Sequence, residues 1–181
     1  GAALAFSDIA EGLLLHRGRD SALMFVRLSL ALNPDLPHAQ WILGDIYGQN
    51  GQSEAALRQL QALRTDPLYG PKATLRMADI IAGDGRAREA IELLQNLQKD
   101  SPEPRVKMDA WSRIGNLYRQ EDNLPAALKA YDKTESIIRA ADNLEMPWQL
   151  YYARGVTYER SGMWDKAETD LEKAIEINPD N

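Results

Sequence analysis

A spaced set of small, aromatic and aliphatic residues returns five times along this 181-residue chain, in units of 34 residues. The last copy is the clearest. Counted from Trp148 as position 1, Tyr151, Gly155, Tyr158, Gly162, Ala167, Leu171, Ala174 and Pro179 fall at positions 4, 8, 11, 15, 20, 24, 27 and 32. Residues 37–70 repeat the pattern with Leu43, Gly44, Tyr47, Gly51, Ala56 and Leu60. Residues 71–104 do so with Met77, Ala78, Ile81, Gly85, Ala90 and Leu94, and 108–141 with Trp111, Ile114, Gly115, Tyr118, Ala127 and Tyr131. The loosest copy is 3–36, with Phe6, Ile9, Ala10, Leu13, Ala22 and Val26. Short inserts at 105–107 and 142–147 and two residues before the first unit complete the count, so 1–181 reads as a single array with no second domain.

The spacing has a physical cause. Apolar residues recur every three to four positions twice per unit, around a glycine-centred break, which predicts two amphipathic helices of about 12–15 residues each. Gly or Ala at position 8 and Ala at position 20 let the two helices of a unit approach closely, and larger residues at 4, 11 and 24 fill the remaining space. Proline at 32 disfavours helix at the residue before it and predicts the end of the second helix. Neither helix can bury its apolar stripe alone; stacked units do.

The eight positions resemble the tetratricopeptide repeat, whose consensus there is W-L-G-Y-A-F-A-P. The resemblance covers essentially the whole chain. It implies an all-α fold, a right-handed α-solenoid of stacked antiparallel helix pairs. Departures from the pattern are specific. Ser29, Leu63, Leu97 and Thr134 stand where alanine is preferred, and Arg139 stands where proline is expected. Without that proline the second helix of 108–141 is expected to run on to about Ala141. The insert 142–147 should then change the pitch toward the last unit. The chain opens on Gly1 and stops at position 34 of its last unit with no polar capping helix. Together with its general style, this points to a segment of a longer bacterial protein of the family.

The resemblance also implies a site. In the family, positions 2, 5, 6, 9, 12 and 13 of each first helix line a concave groove that holds extended peptides. Carried over, they give Trp41, Ile42, Asp45, Lys72, Leu75, Arg76, Arg113, Asn116, Arg119, Tyr152 and Arg160 as candidate groove residues. Asp8, Glu11 and His38 fall on the same face. Trp41, Ile42 and Leu75 would form an apolar patch beside a basic stretch from Lys72 to Arg160. Asn116 would be available to bond a backbone. A partner segment with an apolar anchor followed by acidic residues suits that order, because buried Trp and Arg are common interface anchors and Arg grips carboxylates with two bonds. The competing reading packs Trp41 against a neighbouring helix and pairs the arginines with Asp45, Asp79 and Glu159. The carboxylate clamp of chaperone-binding members is not matched. Lys72 and Arg76 fit its last pair, but Ser7, Glu11 and Ile42 occupy its other three places.

Charge and composition narrow the classes further. Acids outnumber bases 27 to 21, which argues against nucleic acid as a principal partner. No run suits a membrane span. There is no cysteine, and neither His16 nor His38 has a second ligand at metal-binding spacing, so no metal and no cofactor is expected. Cytoplasm and periplasm both remain open. Nothing resembles a nucleophile elbow or a phosphate loop, and no catalytic residue is assigned. The aromatics on signature positions read as core. Trp164 is expected between the two helices of its unit, and Trp148 over the junction with the unit before. The expected function is a non-catalytic scaffold gripping an extended segment of a partner. The alternative is a regulatory or spacer module of a longer enzyme or cell-envelope assembly protein. In that case Leu171, Ala174 and Ile175 of the last helix would dock another element or self-associate.

Overall fold

The computed structural model describes residues 1–16 and 18–179. These form ten α-helices and no strand: α1 (Ala2–Leu15), α2 (Arg19–Leu32), α3 (Pro37–Gln49), α4 (Ser53–Ala62), α5 (Gly70–Gly83), α6 (Ala87–Asp100), α7 (Pro104–Gln120), α8 (Leu124–Ala140), α9 (Trp148–Arg160) and α10 (Trp164–Ile177). The architecture is an all-α helical-repeat solenoid. Contacts divide the chain into two compact units, Gly1–Ala90 and Ile91–Asn181.

In the first unit α1 pairs with α2 and α3 with α4, and α5 lies on α3 and α4. Its core joins Ala10, Ala22, Val26, Ala39, Ile42, Leu43 and Ile46, with Trp41 and Tyr47 packed on the edge. In the second unit α7 pairs with α8 and α9 with α10, while α9 also touches α7 and α8. Ala127, Tyr131, Met146, Leu150 and Ala153 form a core cluster there. Small residues do what their positions require. A β-carbon on Gly44 would lie 2.8 Å from Leu60 Cγ, and one on Gly115 only 2.6 Å from Tyr131 Cδ1.

Helix ends follow the proline rule. Pro34, Pro102 and Pro179 each stand two residues beyond the last helical residue of α2, α6 and α10. The residue between the helices of a pair takes a left-handed backbone at Gly51, Gly85 and Gly162, with φ of 71°, 79° and 71°. In the α7–α8 turn the same place is held by Asp122, at φ 60°, a conformation aspartate adopts more readily than most residues.

Several departures have simple causes. Ser29, on a position that wants alanine, is fully buried and donates its hydroxyl to the Ala3 carbonyl at 2.6 Å. Thr134 is likewise buried and bonds back to the Ala130 carbonyl at 3.1 Å. Arg139 permits the expected extension: α8 is 17 residues long and stops at Ala140, one short of the expected end. The residues 105–107 between two repeats lie in the first turn of α7, which starts at Pro104. In the insert 142–147, Met146 is 9% exposed and belongs to the α8–α9 core. One expectation needs correction: Trp164 does not lie between the helices of its unit. It is the first residue of α10, at the helix end where the turn from α9 arrives, and is 66% exposed.

Candidate functional site

The first helices of the repeats place side chains of positions 2, 5, 6 and 9 on one face, and each unit carries its own group of them. In the first unit Asp45 of α3 accepts from Arg76 Nε of α5 at 2.8 Å and from Gln49 Nε2 at 2.6 Å. Gln49 in turn accepts from Arg19 at 3.0 Å. Arg76 is therefore tied to Asp45, as the competing reading had it. The expected apolar patch is not an open surface. Ile42 is 2% exposed and part of the α1–α3 core, and Leu75 is 9% exposed. An aliphatic side chain on the seam between stacked helices gains more by burial there than by facing solvent. Trp41 is half-buried, packs on the core edge, and carries the Lys72 ammonium 4.1 Å from its ring centroid.

His38, isolated in sequence, has company in the fold. Its Nδ1 lies 3.6 Å from Asp8 Oδ1 and its Nε2 3.3 Å from Glu11 Oε2, both on α1. Its ring stacks on Tyr69, centroids 6.2 Å apart. Burial pushes the Tyr69 phenol above its ordinary range, helped by Glu11, Asp66 and Asp8. Burial also pulls Lys72 below its ordinary range, against the pull of Glu11 and Asp45.

In the second unit, Arg113, Asn116 and Arg119 line up along α7, with Tyr152 and Arg160 on α9. Tyr152 is 54% exposed. Asn116 is not simply available to a backbone: its Oδ1 accepts the Tyr131 hydroxyl at 2.8 Å. Burial raises the Tyr131 phenol, while the neighbouring Arg119 guanidinium and Thr157 hydroxyl oppose the rise. Arg160 pairs with Asp122 at 2.6 Å and donates to the Arg119 carbonyl at 3.3 Å, so it ties α9 to the α7–α8 turn and not to Glu159. Arg113 donates to the Asp109 carbonyl at 3.3 Å. Burial raises the Asp109 carboxyl, and Arg113 and Arg105 offset part of that. Arg119 faces the Tyr131 hydroxyl. Its Nε is buried without an acceptor among the described residues. A buried donor left unpaired costs about 1–3 kcal/mol and marks a place where an acceptor is wanted.

A charged cluster in the same unit was not foreseen. Arg154 of α9, 7% exposed at its side chain, forms a two-pronged pair with Asp170 of α10 at 2.6 and 2.9 Å. It also reaches Glu135 of α8 at 2.9 Å. Burial alone would lower the Arg154 pKa, but Asp170 and Glu135 outweigh it and hold the guanidinium well above its usual range. Position 7 carries Ile9, Leu43, Met77 and Ile114 in the other copies, so an arginine at that place was the readable signal. Position 23 changes with it, from Ala130 to Asp170 between the last two copies.

The cluster sets a pH response. Burial raises the Glu135 carboxyl, but Arg154 and Arg139 more than offset this, and its folded pKa lies below the ordinary 4.5. A depressed carboxylate stabilises the fold above its unfolded pKa, and that contribution is lost as pH falls through the folded value. Urea denaturation at pH 7 and below pH 4 is expected to show a drop in stability that is smaller in a Glu135→Gln chain. An equal drop would show that other acids carry it.

Among the described residues, no group of three or more His, Cys, Asp or Glu is placed to hold a metal ion, and no helix is long and apolar enough to cross a membrane. Comparison with known proteins agrees with the geometry. A family model described as tetratricopeptide repeat matches 148–181, and another of the same description matches 42–103 and 75–143. Among curated proteins, the general transcriptional corepressor ssn6 of Schizosaccharomyces pombe is 27% identical over 128 residues. The match takes in 71% of this chain but only 11% of that protein, so the chain spans about a tenth of its length. Solved structures share the fold. The pilF protein of Pseudomonas aeruginosa superposes with a TM-score of 0.80 at 15% identity, over 99% of this chain and 78% of that one. MamA does so at 0.69 and 22%, over 98% and 92%. YrrB, described as a TPR protein with an unusual peptide-binding site, does so at 0.62 and 20%, over 99% and 88%. Such repeats serve in general as protein-interaction scaffolds and not as catalysts. Repeat spacing, paired helices and models covering more than half of the residues agree: the chain belongs to the tetratricopeptide-repeat family.

Proposed function

We propose that the chain is a non-catalytic scaffold that holds an extended segment of a protein partner against the first-helix faces, with α7 and α9 gripping a carboxylate of that segment. The observation that supports it best is Arg119, whose buried Nε lacks an acceptor among the described residues, beside Asn116 and the Tyr131 hydroxyl. An ionised acceptor there forms a charge-assisted bond in a partly desolvated place, where such bonds are strongest. Arg113 lies nearly two turns away on the same helix, and the exposed Tyr152 offers an aromatic surface for the neighbouring apolar residue. Arg160 and Arg76 serve a different role in this reading, since Arg76 already braces α5 to α3 through Asp45 and Arg160 ties α9 to the α7–α8 turn through Asp122.

Affinity capture from source-cell lysate tests this with the native chain, an Arg119→Met chain and a Trp41→Ala, Arg76→Glu chain. Circular dichroism of each checks that helix content is kept. A partner held by the native chain should bind Arg119→Met at least about tenfold more weakly, the loss of one charge-assisted bond. Equal capture by a folded Arg119→Met chain would move the site off this face.

A second reading has its own observation. Trp148, Tyr152, Leu171, Ala174, Ile175 and Asn178 line a hollow of about 420 Å³ on α9 and α10. Ile175 is 59% exposed at its rim. A spacer or regulatory module would use this hollow to dock a helix. Ile175→Asp would then abolish association in sedimentation velocity while leaving an acidic segment bound at Arg119.

A further inference from the structure

The first unit holds a site of the opposite sign, already filled by the chain itself. The Lys72 ammonium lies 4.1 Å from the Trp41 ring centroid and 5.4 Å from that of Tyr69. His38 stacks on Tyr69 at 6.2 Å with the rings inclined by 25°. Beyond His38 stand the carboxylates of Asp8 and Glu11, whose side chains are 62% and 61% exposed. Aromatic faces carry negative charge density and attract cations within about 6 Å of the ring centroid, most strongly when the cation is desolvated. Lysine is ordinarily the most freely solvated of side chains. Here the residue stays exposed, yet its ammonium lies over two rings, with partial burial opposing its charge and Glu11 and Asp45 favouring it.

A lysine serving only to brace two helices would take the form Arg76 takes with Asp45, a direct bond at 2.8 Å, yet no carboxylate lies within bonding distance of Lys72 among the described residues. An apolar anchor pocket would not need acids on its rim. Three elements contribute: α1 gives Asp8 and Glu11, α3 gives His38 and Trp41, and the α4–α5 connection gives Tyr69. Rings with an acidic rim make a receptor for a primary ammonium group, and Lys72 shows the occupant that fits.

We propose that Trp41, Tyr69 and His38, rimmed by Asp8 and Glu11, form a receptor for a lysine side chain of a bound protein segment, and that Lys72 is an internal stand-in displaced on binding. The proposal rests on the reading that the first-helix faces hold partner segments. It adds a cation-selecting site in the first unit to the carboxylate grip in the second. It also implies that the free chain is self-inhibited at this site, because an incoming lysine must compete with a tethered one. A pre-occupied site lowers apparent affinity by the fraction of time it stands open.

The test needs no identified partner. The whole chain, labelled for 1H–15N spectra, is titrated with n-butylammonium, which has the stem and head of lysine, and with n-butanol, which has the stem alone. The Trp41 indole signal is assigned from a Trp41→Phe chain. Lys72→Ala should bind n-butylammonium roughly tenfold more tightly than the native chain, read from the Trp41 shift, with n-butanol giving no saturable shift. Glu11→Gln added to Lys72→Ala should weaken the ammonium several-fold. Should Lys72→Ala lose helix content, Lys72→Ser opens the same site and carries the same expectation. Equal affinity in the native and opened chains, or equal response to n-butanol, overturns the proposal. Ammonium binding with no partner captured at Arg119 would sink the carboxylate reading and leave this site standing. The reverse result would do the opposite.

Discussion

Asp170→Ala is expected to destabilise the second unit by about 3–5 kcal/mol. Arg154 and Asp170 are each 7% exposed at their side chains and joined by two bonds. Removing the carboxylate leaves a guanidinium in the seam between α9 and α10 with only Glu135 to answer it. The cost comes from the stranded charge and not from the net worth of the pair. A control separates the two. Arg154→Met with Asp170→Leu removes both charges and puts apolar side chains in their place, and such replacements are often neutral or stabilising. Urea denaturation of the native, single and double variants at pH 7 reads the difference. If Asp170→Ala and the double variant fall together, the loss belongs to packing and the charge argument is wrong.

Gly115→Ala is expected to cost about 1–3 kcal/mol even though alanine is the better helix former. The added β-carbon would sit 2.6 Å from Tyr131 Cδ1 and 3.0 Å from Cζ. Tyr131 is fully buried and its hydroxyl is fixed to Asn116, so the ring cannot simply swing aside. Gly12→Ala is the matched comparison. It too lies within a helix, but a β-carbon there meets nothing within 4 Å, so it should stabilise by roughly 0.5–1 kcal/mol. Thermal melts of the two variants should therefore move in opposite directions. Two shifts of the same sign would mean that α7 and α8 separate readily and that the position-8 rule is softer than the geometry implies.

The residues that made the fold legible are those whose role depends on their own size and spacing. Gly44, Gly115 and Gly155 announce close helix approach, and Pro34, Pro102 and Pro179 announce helix ends, because backbone sterics act through neighbours in sequence. Even the departures were readable in kind: with Arg139 in place of proline, α8 runs on for 17 residues. The inserts were harder. Residues 105–107 continue the helical pattern of α7 backwards, and Met146 is a lone apolar residue whose burial depends on where α8 and α9 meet.

The candidate site was legible as a set of positions but not as a set of bonds. Arg76, Arg119 and Arg160 look alike as groove positions. In the fold one is braced to Asp45, one holds a buried Nε with no acceptor among the described residues, and one grips Asp122 in a neighbouring turn. His38 gains its meaning from Asp8, Glu11 and Tyr69, which lie about one repeat away in either direction, and Lys72 from Trp41, about one repeat before it.

The sequence by itself determined the class of fold, its building from helix pairs and where several of the helices end. Those depend on local propensity and on a period of 34 that each unit satisfies with its own residues. Only the tertiary structure decided which charges are spent on holding helices together and which remain for a partner. A charged side chain reaches across one or two repeats, and its pairing depends on distance and burial between residues that no sequence period relates.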